Sequence, residues 1–232
     1  MAELVVFSTI GVRSAAEQLF AQFDTASGHK LAVTWGTAPM LVKRIEDGDT
    51  ADVVVLSRAG IDALQNQGKL APGSDVTLAS SGVGIAVKSG APRPDISTPE
   101  ALKRTLLAAK SIAYSEPSAG GASGVYFAKL LERMGIAEQM KPKTKYPPAG
   151  GFSANLLMTG EAELAVQQKP ELLHVAGAEI VGLLPGDLNV VTEFAAAIMA
   201  GSKNSDAAKS LIKMLQSPDA VAVFRSKGLD TP

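Results

Sequence analysis

Leu4-Val5-Val6-Phe7-Ser8-Thr9-Ile10-Gly11-Val12-Arg13-Ser14 decides how this chain folds. Its first four residues are a continuous apolar run, the pattern of a strand buried on both faces. The hydroxyl- and glycine-bearing segment Ser8–Arg13 leads directly into an amphipathic helix, in which Leu19, Phe20 and Phe23 share one face. Ser14 and Glu17 have the S-x-x-E spacing of a capping box, which predicts a helix start at Ser14. A strand end that faces a helix N-terminus is an anion site in outline, because unpaired N–H groups and the helix dipole converge there. Arg13 adds a planar cation suited to a carboxylate.

The same unit then repeats. Leu31–Trp35 is a second strand, and Thr37 caps a helix with Pro39 in its first turn. Asp52–Leu56 is a third strand, apolar from Val53 onward, followed by a helix over Ala59–Gln67. Alternating strands and helices predict a parallel, doubly wound sheet. The pattern restarts at Val83–Val87 and runs through a helix opened by Thr98-Pro99-Glu100, a strand at Ser111–Tyr114 and a helix over Gly124–Met134. A short strand over Lys143–Tyr146, a helix from Ser153 and strands at Leu164–Gln167 and Ile180–Leu183 complete this part. A strand over Glu193–Met199 and two helices, capped by Ser205 and Ser217, close the chain. Two α/β lobes follow from this layout, with a return crossing expected in Leu184–Val191.

Composition narrows the function. The 232 residues carry a net charge of −1, which gives no bulk attraction to nucleic acid or to an acidic membrane. There is no cysteine, so disulfides and thiolate sites are excluded, and two histidines, His29 and His174, cannot make a multi-histidine metal site. No metal and no cofactor are expected. No apolar run approaches the roughly 18 residues that would span a bilayer. Met1-Ala2-Glu3 enters the first strand at once. If Met1 is the native start a cytoplasmic protein is expected, and a periplasmic one if a leader has been removed.

Several segments, taken in order, resemble one family. They are V-V-F-S at 5–8, A-A-E-Q-L-F-A-Q-F at 15–23, M-L-V-K-R-I-E-D-G-D-T-A-D-V-V-V-L-S at 40–57, S-G-V-Y-F-A-K-L-L-E-R-M-G-I at 123–136, G-E-A-E-L-A-V-Q-Q at 160–168, and S-P-D-A-V-A-V-F with K-G-L at 217–229. Together they resemble the molybdate-type periplasmic binding proteins, and I-E-x-G-x-x-A-D-V at 45–53 is the most specific piece. The resemblance implies a two-lobed type II periplasmic-binding-protein fold, each lobe a mainly parallel sheet flanked by helices. Residues 1–82 and 190–232 would form lobe one and residues 83–189 lobe two, with the ligand cleft between them. A monomer is expected, with an ABC permease as partner only if the protein serves transport.

The ligand positions depart from the molybdate pattern. The serines that bind molybdate in the first and second strand-to-helix loops match Gly11 and Ala38 here, and a late tyrosine matches Gln168. Arg13 falls where the pattern has a small hydroxyl residue. A guanidinium in place of neutral hydroxyl donors suits a carboxylate. The chain is also similar to aconitate isomerase, which is built on the same fold and moves a double bond within a tricarboxylate. The expected activity is therefore either allylic isomerisation of a small polycarboxylate or delivery of a carboxylate or oxyanion to a transporter.

The residues expected to meet the anion are Ser8, Thr9, Gly11, Arg13, Ser14 and Thr37 in the first lobe. Those in the second are Ser115, Ser123, Gly150, Gly151, Ser153 and Gln168. Ser8 and Thr9 stand at the C-terminal end of a parallel strand, where open α/β sheets bind ligands. Gln167 and Gln168 end an apolar strand, and alternation sends only one of them to each face; the family pattern favours Gln168. Tyr114 and Glu116 are the candidates for acid or base.

Overall fold

The apolar run at the start forms β1 (Glu3–Thr9), buried along nearly its whole length. In the computed structural model, which describes residues 2–232, a single 3-10 turn, Ile10–Val12, leads from β1 into α1 (Arg13–Ser27). There follow β2 (Lys30–Gly36), α2 (Ala38–Glu46), β3 (Val53–Ser57), α3 (Arg58–Asn66) and the long β4 (Val76–Lys88). Next come α4 (Pro99–Ala108), β5 (Ile112–Tyr114), α5 (Ala122–Arg133), α6 (Ala137–Met140), β6 (Thr144–Lys145) and α7 (Asn155–Met158). The chain continues with β7 (Leu164–Gln168), α8 (Lys169–Leu173), β8 (Ala178–Leu183), β9 (Val191–Ile198), α9 (Ser205–Leu215) and α10 (Pro218–Ser226).

These elements form two compact units, Met1–Ser80 with Thr192–Pro232, and Ser81–Val191. In the first, the strand order is β2-β1-β3-β9. β1 is parallel to both β2 and β3, and β9 lies antiparallel to β3. Apolar side chains leave both faces of this sheet, as expected for strands covered on each side. One face packs under α1, α9 and α10, with Leu4, Val6, Phe20, Phe23, Leu211 and Phe224 in its core. The other packs under α2 and α3, around Phe7, Leu41, Ile45, Val54 and Ile61.

In the second unit, β7, β5 and β6 are parallel in that order. β4 runs antiparallel to β7 on one side and to β8 on the other. One face is covered by α4 and α5, around Leu102, Leu106, Phe127 and Leu130. The other is covered by α7 and α8, around Phe152, Leu156, Leu157 and Leu172. No helix among the described residues is long and apolar enough to cross a membrane.

Three local expectations are corrected. The capping box of Ser14 and Glu17 does not form: the 3-10 turn winds straight into α1, whose cap is Val12 without a side-chain bond. Ser14 already lies inside the helix, and Glu17 turns back to Arg13 instead. Ser153 does not cap the helix that follows it; Ala154 precedes α7, and the Ser153 groups go to Gln167. The cap of α9 is Asn204 rather than Ser205. The caps at Thr37, Thr98 and Ser217 do form, each hydroxyl accepting a backbone N–H in the first helical turn.

Candidate functional site

Parallel strands bring their C-terminal ends to one edge, and in the first unit that edge collects most of the residues expected there. In register, Ser8 lies beside Trp35 and Val55, and Thr9 beside Gly36. Thr37 follows as the cap of α2, its hydroxyl accepting from the Met40 N–H at 3.4 Å. Ser57 ends β3 and caps α3 without a side-chain bond. Helix starts therefore gather along this edge, each with backbone N–H groups that its own turn does not use. Ser8 is wholly buried, and its Oγ has no partner among the described residues; neither has the buried Oγ of Ser14. Buried hydroxyls in folded proteins are nearly always bonded, so an unpartnered pair marks a place where a ligand or water belongs.

Gly11 sits in the 3-10 turn of this edge, and its lack of a side chain is a packing requirement. A Cβ built there would stand 2.7 Å from Cε1 and Cζ of Phe194. Phe194 is itself buried and comes from β9, opposite Ser57. The ring therefore fills the volume that any side chain at position 11 would need. Gly11→Ala is expected to lower stability by about 1–3 kcal/mol through forced repacking. A urea titration checks this, and Gly11→Ser should behave alike, because the Cβ rather than the hydroxyl is at fault.

Arg13 stands on the first turn of α1. Its Nε donates to Glu17 Oε1 at 2.7 Å, and its guanidinium lies 5.3 Å from the centre of the Trp35 ring. The pair is partly exposed and joins residues four apart on one helix, an arrangement worth only a few tenths of a kcal/mol. Such a bond is easily exchanged for one to a ligand carboxylate. Arg58, the other cation at this edge, is committed to Asp75 and Thr77.

The second unit has its own C-terminal edge, formed by β5, β6 and β7. Here the organising residue is Gln167 rather than the expected Gln168. Gln167 is fully buried and draws together Ser115, Gly151 and Ser153. Its Oε1 accepts from the Ser153 N–H at 2.7 Å and from Ser153 Oγ at 3.0 Å. Its Nε2 donates to Ser115 Oγ at 3.1 Å and to the Gly151 carbonyl at 3.3 Å. A backbone N–H can only donate, so Ser153 fixes which end of the amide is oxygen. Ser115 Oγ must then accept from Gln167, which leaves the Ser115 hydroxyl hydrogen to donate elsewhere.

Gln168 is used differently. It caps α8 in a reciprocal box with Glu171: the Gln168 side chain accepts from the Glu171 N–H, and Glu171 Oε2 accepts from the Gln168 N–H at 3.1 Å. Both side chains are buried. Burial pushes the Glu171 carboxyl up to about 7, with the Gln168 N–H and the Gln167 amide opposing the shift.

Tyr114 ends β5 and is also buried. Its hydroxyl lies 3.3 Å from that of Tyr146, and burial first, then Tyr146, pushes its ionisation well above the usual phenol range. At neutral pH it is a donor and not a base. Glu116 is exposed, at the start of the 3-10 turn Pro117–Ala119. Ser123 is buried on the first turn of α5, whose cap, Gly121, has no side chain to satisfy the N–H groups there. Gly150 has a positive φ of 74° and turns the chain so that Gly151 presents its carbonyl to Gln167.

The sequence from residue 4 to residue 230 matches the family model described as bacterial extracellular solute-binding protein. The chain belongs to that family. Among curated relatives it is 35% identical to an aconitate isomerase from Pseudomonas sp over 232 residues, 97% of this chain and 87% of the relative. It is 25% identical to the molybdate-binding protein ModA of Azotobacter vinelandii over 235 residues, 98% of this chain and 89% of the relative. Among solved structures, the Azotobacter vinelandii periplasmic molybdate-binding protein superposes with a TM-score of 0.80 at 20% identity, covering 99% of each chain. The sulfate-binding protein SubI from Mycobacterium tuberculosis gives 0.76 at 16% identity, covering 99% of this chain and 86% of the other. The fold is thus that of the type II periplasmic binding proteins. In this member of the solute-binding family, both sheet edges carry unspent donors, the chemistry that an anion requires.

Proposed function

We propose that this chain binds a small organic polycarboxylate and isomerises it, moving a double bond by allylic proton transfer as in aconitate isomerase. The observation that carries this reading is the 35% identity to an aconitate isomerase along 97% of the chain. The site chemistry agrees with it. At position 11, where the molybdate pattern has a serine, Phe194 takes up the space, and the second serine position is Ala38. A fully dehydrated oxyanion that lost two hydroxyl donors would bind more weakly by roughly 1–3 kcal/mol for each. A carboxylate finds instead the guanidinium of Arg13, with the Ser8 and Ser14 hydroxyls as further donors.

For isomerisation, the charge that develops on a carboxylate as the adjacent carbon loses its proton must be met by fixed donors. In this proposal Arg13 and the N–H groups of the first-unit edge are the donors that meet this charge. Glu116 is the carboxylate that removes the proton and, once protonated, returns it at the other end of the allyl unit, while Tyr114, kept protonated by burial, serves as a hydrogen-bond donor. A second reading is favoured by the family description: a solute-binding protein that hands a carboxylate to an ABC transporter. Both readings require carboxylate selectivity, and only the first requires conversion.

A thermal-shift series with molybdate, sulfate, succinate, tricarballylate and cis- and trans-aconitate tests the ligand class. The tricarboxylates are expected to raise Tm, and molybdate to leave it unchanged. Stabilisation by molybdate alone would sink the carboxylate reading. Arg13→Ala is expected to weaken tricarboxylate binding about 10- to 100-fold, the loss of one charge-assisted pair.

A further inference from the structure

We propose that Glu171 is a positioning residue for the anion, setting the donors of the β7–α8 corner, and that binding of the anion is coupled to protonation of its carboxyl. The inference rests on the anion reading above but not on isomerisation.

Glu171 is 4% exposed and lies three residues into α8, where its carboxylate reaches back to the Gln168 N–H. It thereby locks the corner at which β7 ends. Gln167, the preceding residue, aims its Nε2 at Ser115 Oγ. One buried amide thus separates the carboxyl from the hydroxyl that faces an incoming anion. When Glu171 is ionised, an uncompensated negative charge stands in a low-dielectric corner beside the anion, where repulsion is strong. When it is protonated, that repulsion is gone and the capping bond remains.

Among the described residues, no charged partner offsets this group. Burial raises its ionisation, and the two groups that oppose the shift, the Gln168 N–H and the Gln167 amide, are neutral donors. Lys169, which opens α8, is half-exposed, and His174, which follows its last residue, is exposed. On β8, which packs against α8, Glu179 is paired with Arg93. β7 contributes no charged residue (Leu164–Gln168). The carboxyl is thus in balance between its two forms near neutral pH, where a second negative charge tips it towards the proton.

Two consequences follow from linkage. The bound anion raises the affinity of Glu171 for its proton, so binding at pH 7.5 takes up a proton. Reciprocally, affinity falls as pH rises through about 7, by about tenfold between pH 6 and 8. Glu171→Gln keeps both bonds of the capping box and cannot ionise. It is expected to bind with affinity independent of pH over this range.

The test is calorimetric titration of tricarballylate, a saturated tricarboxylate with no double bond to move. It is run at pH 7.5 in two buffers of different ionisation enthalpy, with the full chain and with Glu171→Gln. The ligand's own protons count equally for both proteins. Greater proton uptake by the natural chain than by Glu171→Gln supports the proposal, whether or not aconitate is converted. Equal uptake, with equal pH dependence of affinity, overturns it even if the protein is an isomerase. Absence of binding by every carboxylate tested would overturn both this proposal and the anion reading.

Discussion

Gly124→Ala is expected to lose about 3 kcal/mol of stability and, in whatever folds, most of its anion binding. Gly124 lies on the first turn of α5, and a Cβ there would stand 2.1 Å from the backbone carbonyl oxygen of Ser115 and 3.0 Å from Ser115 Cβ. No rotamer change relieves a clash with a backbone atom, so either α5 or the end of β5 must shift. α5 is anchored by Phe127, Leu130 and Leu131, all buried in the core under the sheet. The movement therefore falls on Ser115 and the 3-10 turn behind it. That displaces the hydroxyl that Gln167 holds and the first-turn N–H groups of α5 together. Urea unfolding and titration with tricarballylate check the two parts separately. Unchanged stability with unchanged affinity would show that the helix start is not packed as described.

Gln167→Glu is expected to weaken anion binding by about 100-fold, from a lost charge-assisted donor and an added like charge. The substitution keeps the side chain's size and preserves the oxygen that meets the Ser153 N–H. Its second oxygen replaces the amide nitrogen that now donates to Ser115 Oγ and to the Gly151 carbonyl. Ser115 would have to turn its hydrogen inward to bond the new carboxylate, and its outward donor would vanish. The Gly151 carbonyl would face an oxygen with nothing to share. Ser115→Ala removes the outward donor together with the oxygen that accepts from Gln167 Nε2, adds no charge, and is expected to weaken binding about tenfold. The double variant should lose less than the sum of the two single losses, because both act on one hydrogen. Strict additivity would mean that the amide does not work through Ser115.

Much of the fold is legible in the sequence for a simple reason. β1 and β3 are short apolar runs, and Thr37, Thr98 and Ser217 each precede a proline-opened helix, so period and cap agree. Ser14 misled because its S-x-x-E spacing is the same whether the helix starts at Ser14 or one residue earlier; the 3-10 turn at Ile10–Val12 decides between them. β4 runs for 13 residues, whereas Val83–Val87 alone suggests a strand, because Ser80-Ser81-Gly82 has no strand-like alternation. The second-unit site was only half legible. Strand alternation gives Gln167 and Gln168 opposite faces but cannot show that both become buried when α8 starts at once. A usable signal was present: Gln168 and Glu171 have capping-box spacing around Pro170. That signal is weak on its own, because serine, threonine, aspartate and asparagine are the usual caps. The sequence marks Gly11 as a ligand position and Gly124 as a helix start, yet each is required by a tertiary neighbour, Phe194 and Ser115, that no local pattern reveals.

The central claim is conversion as well as capture. Purified protein is incubated in heavy water with cis-aconitate, and in a second sample with trans-aconitate, and both are followed by proton NMR. The account predicts that the two samples reach the same mixture of isomers, at a rate proportional to protein concentration and strongly reduced in Arg13→Ala. Saturable binding of either isomer, with its spectrum unchanged throughout, would contradict the isomerase account and leave a carboxylate receptor in its place.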